Sequence, residues 1–246
     1  MSYLLRQQDP EFVRRTFSEI AGRYDFANHL LSGGLDFLWR DRVARLAAAA
    51  RPQRILDLAT GSGDLAIALQ KACPSSLVVG ADFCLPMLEV ARRKNVPDLV
   101  LADALALPFA EGTFDAVTVA FGLRNMASWE MALREMARVL RPGGLLAVLD
   151  FSMPSCGPVR AAYRLYLHHL LPMVAGRTTG RPDAYKYLGE SIERFPCGSE
   201  MASLISSCGF AAGRPRPMCL GVVTLYAAVK EPHFTSRSAP RESCRA

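Results

Sequence analysis

The seven cysteines of this chain include no C-x-x-C pair, and their number is odd. Neither a disulfide framework nor a thiolate zinc site has that spacing. No apolar run reaches the roughly 18 residues that a membrane span needs. The nearest attempt, Ala161 to Ala175, is interrupted by Arg164 and by His168–His169. Met1 to Glu11 lacks the apolar core of a secretory signal, so reduced thiols and a cytoplasmic location are expected. Although the net charge is +6, the basic residues are scattered (Arg14–Arg15, Arg40, Arg42, Arg92–Arg93–Lys94), and no dense basic tract with interleaved aromatics occurs. Nucleic acid is therefore not an expected partner. Internal repeats and collagen-like glycine periodicity are missing too. His168–His169 is no metal pair, because adjacent helical residues point about 100° apart and no third ligand is signalled, so no metal is expected.

What is present is ample core material. Of the 246 residues, 50% are hydrophobic and 21% charged, with mean hydropathy +0.13, which excludes intrinsic disorder and fits one domain. From Glu11 to Ala50 the apolar spacing is helical (Phe12, Phe17, Ile20, Tyr24), with a break at Ser32–Gly34 and a second helix from Leu35 to Ala50. From Arg54 a strand–turn–helix rhythm sets in. Strands are predicted at Ile55–Ala59, Leu77–Ala81, Leu99–Ala102, Phe114–Phe121, Leu145–Phe151 and Val222–Val229. Helices are predicted at Asp64–Cys73, Pro86–Lys94, Trp129–Leu140 and Glu200–Cys208, with Arg141–Pro142–Gly143–Gly144 as a turn. Such alternation predicts an α/β fold with a mostly parallel sheet and helices on both faces. The expected organisation is one domain over 1–230. It comprises an N-terminal helical cap (11–50), a cofactor-binding core (54–151), a substrate cap with a mobile loop around Gly176–Gly180 (154–196) and a C-terminal helix and strand (197–230). Residues 231–246 are expected to be a disordered tail.

The strongest local signal is Leu56-Asp-Leu-Ala-Thr-Gly-Ser-Gly-Asp-Leu-Ala66, a strand, glycine turn and helix start in succession. Gly61 and Gly63 let a backbone approach a ligand closely, and Asp82 ends the next strand about 20 residues on, where a carboxylate can take both ribose hydroxyls. No Lys–Ser/Thr follows the glycines, which excludes a Walker-type phosphate loop. Charge separates the remaining cofactors. Asp57, Asp64, Asp82 and Asp103 all fall at or just beyond the carboxyl ends of strands, the rim where open α/β sheets bind ligands. Four carboxylates repel a pyrophosphate and suit the sulfonium and ammonium of S-adenosylmethionine.

Further along lie Phe17-Ser-Glu-Ile-Ala-Gly-Arg-Tyr-Asp, Trp39–Arg40, Asp82–Phe83, Asp103–Ala104, Phe121-Gly-Leu-Arg-Asn125, Arg138-Val-Leu-Arg-Pro-Gly-Gly144 and Tyr185-x-Tyr-Leu-x-x-Ser-Ile192. Together these motifs resemble the ubiquinone/menaquinone biosynthesis C-methyltransferases, class I enzymes that methylate a polyprenylated quinol ring. The likeness runs from about Phe17 to Ala228 and implies a class I S-adenosylmethionine-dependent, Rossmann-like fold. It also implies that Asp57, Thr60, Gly61, Gly63, Asp82, Phe83, Asp103, Ala104 and Ala120 surround the cofactor. Thr60 and Gly61 would face its methionine part, Asp82 the ribose, and Asp103 with Ala104 the adenine. Family members often carry serine where Ala120 stands, which removes one hydroxyl contact worth on the order of 1 kcal/mol.

A ring carbon is a poor nucleophile unless a ring oxygen donates electron density, so the expected substrate is a reduced quinol, most directly demethylmenaquinol. A polyprenyl-methoxybenzoquinol or another small phenol or lipid is the alternative. The resemblance implies Arg124 as electrostatic stabiliser of a quinolate oxygen, with Asn125, Tyr24 or a water ordering the proton's exit. A guanidinium stays protonated, so Arg124 itself is not the base. Pro158 to Pro172 mixes apolar and basic residues, as in a helix that roofs a hydrophobic tail or lies at a bilayer surface, here the inner face of the membrane. In a homodimer the capping segments are the candidate contacts. Two rivals share parts of the pattern: an NAD-dependent oxidoreductase, opposed by the surplus carboxylates, and a non-catalytic methyltransferase-like subunit.

Overall fold

The computed structural model of the protein describes residues 32–171, 173 and 182–232. The expected first helix with Tyr24, the loop at 176–180 and the tail from 233 onward lie outside the described residues. The chain alternates α1 (Leu35–Ala49), β1 (Arg54–Leu58), α2 (Asp64–Ala72), β2 (Leu77–Asp82), α3 (Leu85–Arg93), β3 (Asp98–Leu101), β4 (Phe114–Ala120), α4 (Trp129–Val139) and β5 (Leu140–Phe151). After these come α5 (Gly157–Leu165), α6 (Pro182–Arg194), α7 (Ser199–Ser207), β6 (Phe210–Ala212), β7 (Arg216–Met218) and β8 (Val223–Lys230).

The strands form one sheet in the order β3-β2-β1-β4-β5-β8-β6, with β7 also paired to β8. The first five pair in parallel, and β8 runs antiparallel between β5 and β6. Ile55 to Leu58 of β1 are all buried, the run expected of a parallel strand covered on both faces. On one face α1 and α2 deliver Trp39, Val43, Leu65 and Leu69 against Ile55 and Leu149. On the other, α4 and α7 deliver Leu133, Met136, Met201 and Ile205 against Leu56 and Val148. The expected α/β fold with helices on both faces of a mostly parallel sheet is thus observed.

Two details depart from the sequence reading. The short strands β6 and β7, three residues each, share one edge of β8 and have no periodicity long enough to be read beforehand. The expected turn at Arg141–Gly144 lies inside β5. Phe114 pairs with Leu140 and Ala116 with Leu145, so four residues of β5 bulge out opposite one of β4. Asp115 fastens this bulge to the start of β1, binding Arg141 at 2.9 Å and accepting the backbone N–H groups of Gln53 and Arg54.

The sheet order reverses between β1 and β4, and the carboxyl ends of these strands open the crevice where such folds take ligands. Each strand is followed by a non-glycine residue of left-handed conformation, Ala59 (φ 53°) and Phe121 (φ 59°). The two turns touch. A Cβ on Gly122 would lie 2.5 Å from the Ala59 Cβ, so a side chain at 122 would push the mouth of the crevice apart.

Candidate active site

An open cleft lies over the carboxyl ends of β1, β2 and β4. Asp57, Asp64, Asp82 and Asp103 all line it, as do Thr60, Gly61, Phe83, Ala104, Ala120 and Asn125. Gly63 does not. Its φ of 86° and the 2.7 Å that would separate an added Cβ from Val96 Cγ2 give it a packing role, seating α2 against the residues that follow α3. Arg124 lies behind the cleft wall, and Tyr24 is outside the described residues.

Asp82 organises the glycine turn. One carboxylate oxygen accepts the Gly61 N–H at 2.8 Å and the other the Cys84 N–H at 2.9 Å, which ties the loop after β1 to the end of β2. An ionised carboxylate offers about four acceptor positions, so ribose hydroxyls still find room there. Burial raises its pKa, although these backbone N–H groups oppose the shift. Asp57 is almost wholly buried and accepts hydroxyl hydrogen bonds from Thr60 at 2.7 Å and Thr118 at 3.0 Å. Desolvation nonetheless pushes its carboxyl up to about 7. Asp103 is exposed at the rim and accepts the Leu105 N–H at 2.9 Å. Asp64 stands in the first turn of α2, after the Gly63 cap position. It pairs with Lys94 at 2.6 Å.

The F-G-L-R-N segment forms a short 3₁₀ turn after β4. Arg124 and Asp150 make an ion pair at 2.7 Å, with side chains 5% and 0% exposed. The same guanidinium donates to the Phe121 carbonyl and lies 5.2 Å from the Phe151 ring centre. Asn125 does face the cleft, and its side-chain oxygen accepts the hydroxyl of Tyr187 on α6 at 3.1 Å. Burial raises the pKa of Tyr187, so its hydroxyl keeps its proton and acts as donor. Tyr187 belongs to the Y-x-Y-L motif, but nothing in its spacing pairs it with Asn125 across 62 residues. Arg40 is the other residue not singled out beforehand. It reaches the cleft from α1, and its only sequence signal was the Trp39–Arg40 dipeptide.

The donor set fits S-adenosylmethionine. Acidic groups line the cleft, and Phe83, Leu105 and Met126 supply apolar walls for a planar base. An added Cβ on Gly61 would sit 3.3 Å from Met87 Cε, and the φ of 57° there is one that L side chains rarely adopt. One consequence can be tested by pH. A cationic ligand favours ionised Asp57, so below pH 7 binding must expel a proton. Affinity for S-adenosylmethionine should then rise about fivefold from pH 6 to 7, below the range in which the ligand's amine titrates. Calorimetry in buffers of different ionisation enthalpy would register the released proton. Asp57→Asn should abolish both the slope and the release, and a flat profile in the unaltered protein would dissociate Asp57 from the ligand's charge.

Comparison with known proteins agrees. The pattern of the ubiE/COQ5 methyltransferase family matches residues 5–230. A demethylmenaquinone methyltransferase of Thermus thermophilus is 48% identical over 215 residues, covering 85% of this chain and 97% of the relative. A ubiquinone/menaquinone biosynthesis C-methyltransferase UbiE of Syntrophotalea carbinolica is 42% identical, covering 87% and 92%. Among solved structures, a SAM-dependent methyltransferase from Thermotoga maritima superposes with a TM-score of 0.60 at 18% identity, over 87% of this chain and 98% of that one, which speaks for the fold alone. With nearly its whole length matched and its acid-lined cleft at the sheet's switch point, the chain belongs to the ubiE/COQ5 methyltransferase family.

Proposed function

We propose that residues 1–230 act as one methyltransferase unit that methylates a ring carbon of a polyprenylated quinol, most directly demethylmenaquinol to menaquinol. The observation that carries this reading is the cleft itself, in which Asp57 and Asp82 hold the glycine turn and Asp103 stands at the rim, in a chain 48% identical to a demethylmenaquinone methyltransferase. S-adenosylmethionine, when bound, supplies a methyl group on a cationic sulfur. Asp82 holds its ribose, Asp103 and Ala104 its base, and Asp57, Thr60 and Gly61 its methionine end, with Phe83 and Ala120 as walls. Asn125 faces the acceptor, and the hydroxyl of Tyr187 fixes its amide so that the Nδ2 hydrogens point away from Tyr187.

Arg124 takes a different part from the one its motif implies. Its charge is neutralised by Asp150, so an acceptor oxygen would meet the weak field of a pair, not of a free cation. Arg124 and Asn125 both donate to the Phe121 carbonyl, at 3.4 Å for Asn125. In this proposal Arg124 is a positioning residue that fixes the turn carrying Asn125.

Among the described residues no helix is long and apolar enough to cross a membrane. Leu165, Leu170 and Met173, each more than half exposed at or beyond the end of α5, suit contact with a bilayer surface or a prenyl chain. Flotation with anionic liposomes tests that contact, and failure to float with or without a substrate analogue would remove it.

The reaction is tested with methyl-labelled S-adenosylmethionine and reduced demethylmenaquinol beside reduced demethylated benzoquinol. Label on the naphthoquinol ring carbon is the expected result. Preference for the benzoquinol would reassign the substrate, and no transfer to either with cofactor binding intact would overturn the quinol reading.

A further inference from the structure

The cleft holds four carboxylates and, among the described residues, a single cationic side chain, that of Arg40 on α1. Arg40 is only 8% exposed. Its aliphatic stem leaves α1 beside Trp39, and its guanidinium lies 5.6 Å from the ring centre of Phe121, the residue that follows β4. One nitrogen is hydrogen-bonded and ion-paired to Asp36, one turn earlier on α1. Another stands 3.7 Å from Asp64, an ion-pair distance but too long for a hydrogen bond. A guanidinium has five N–H donors in a planar fork, so donors remain for a further acceptor.

The position along the cleft matters as much as the charge. Asp82 and Asp103 end or follow β2 and β3, which sets the ribose and base toward that side. Arg40 stands at the opposite end, where α1 crosses the start of α2 and the turn after β4. A ligand with its nucleoside at Asp82 and its chain running past Thr60 and Gly61 would end at Arg40. S-adenosylmethionine carries one anionic group, and it sits at the end of that chain.

We propose that Arg40 is the anchor for the amino-acid carboxylate of the cofactor and so sets which sulfonium or thioether nucleosides the cleft accepts. This rests on reading the cleft as the S-adenosylmethionine site. Asp36, 3% exposed, holds the guanidinium in place as a positioning residue, and the Phe121 ring supports its face. Asp64 approaches the guanidinium but is drawn off by Lys94, which prevents a second tight pair from filling the fork.

The test is calorimetric and needs no turnover. S-adenosylhomocysteine and its decarboxylated counterpart, S-adenosyl-3-thiopropylamine, differ at the carboxylate and nowhere else. The unaltered protein should bind the former about 10- to 100-fold more tightly, the range for a charge-assisted hydrogen-bonded pair. Arg40→Gln should weaken S-adenosylhomocysteine by that factor and leave the decarboxylated compound within about threefold, so that the preference disappears. Because Arg40→Gln leaves Asp36 buried beside a neutral amide, the double variant Asp36→Asn/Arg40→Gln serves as a second arm and should give the same loss of preference. Equal weakening of both ligands in both variants would make Arg40 a brace between α1 and α2 and overturn the proposal. So would an unaltered protein that binds the two compounds equally, since the carboxylate is then not recognised. Failure of the unaltered protein to bind either compound would remove the cofactor reading along with it.

Discussion

Replacing Arg124 with alanine is expected to cost about 3–5 kcal/mol of folding stability, because it leaves Asp150 fully buried without its cation. Burial already raises the Asp150 pKa and Arg124 opposes the shift, so removing the arginine raises it further. A carboxyl whose folded pKa lies above its unfolded value contributes stability that is present at low pH and lost as pH rises through the folded value. The deficit of Arg124→Ala should therefore be larger at pH 8 than at pH 5. Removing both charges, as in Arg124→Met/Asp150→Asn, should recover much of the loss and erase its pH dependence. Urea unfolding at the two pH values reads all of this. If Arg124→Ala kept its stability and lost turnover alone, the guanidinium would act directly on the reacting oxygen, as the family motif implies, and the positioning role would fall.

The second large effect is at Asp82. Alanine there removes the acceptors of the Gly61 and Cys84 N–H groups together with those offered to the ribose, so the glycine turn loses its tie to β2 as the ligand loses its partner. Two hydrogen bonds to a charged group are worth about 3–4 kcal/mol together, and S-adenosylhomocysteine should bind about 100- to 1000-fold more weakly. Asp82→Asn keeps one acceptor and should fall between. A change below about threefold in either variant would place the ribose elsewhere.

The two predictions bear on different kinds of sequence signal. Asp82 could be read in one dimension because its position follows from the fold's repeat. A strand that ends where the glycine turn closes must bring its last residue beside that turn, and the 2.8 Å bond to Gly61 is the outcome. The same logic placed Asp57 and Asp103 at the cleft, whereas Thr60 and Ala104 were implied only by the family resemblance. Arg124 carries an equally specific motif, yet its surroundings depend on Asp150 of β5, which pairs with it across 26 residues. A motif identifies a residue type at a position. Its partner fixes whether that charge is free.

By itself the sequence determined the alternation of strands and helices, the parallel sheet, the acidic rim and the glycine turn. All of these rest on local periodicity and on residues within one βαβ unit. Only the tertiary structure decided what lies across the cleft from those carboxylates. Arg40 arrives from a helix ahead of the first strand, and Tyr187 reaches Asn125 from α6. The edge strands β6 and β7, three residues each, exist because β8 offers them an edge. Hydrophobic pattern records how a segment meets the core. Contacts between segments far apart in the chain are selected by packing and leave no period in the sequence to read.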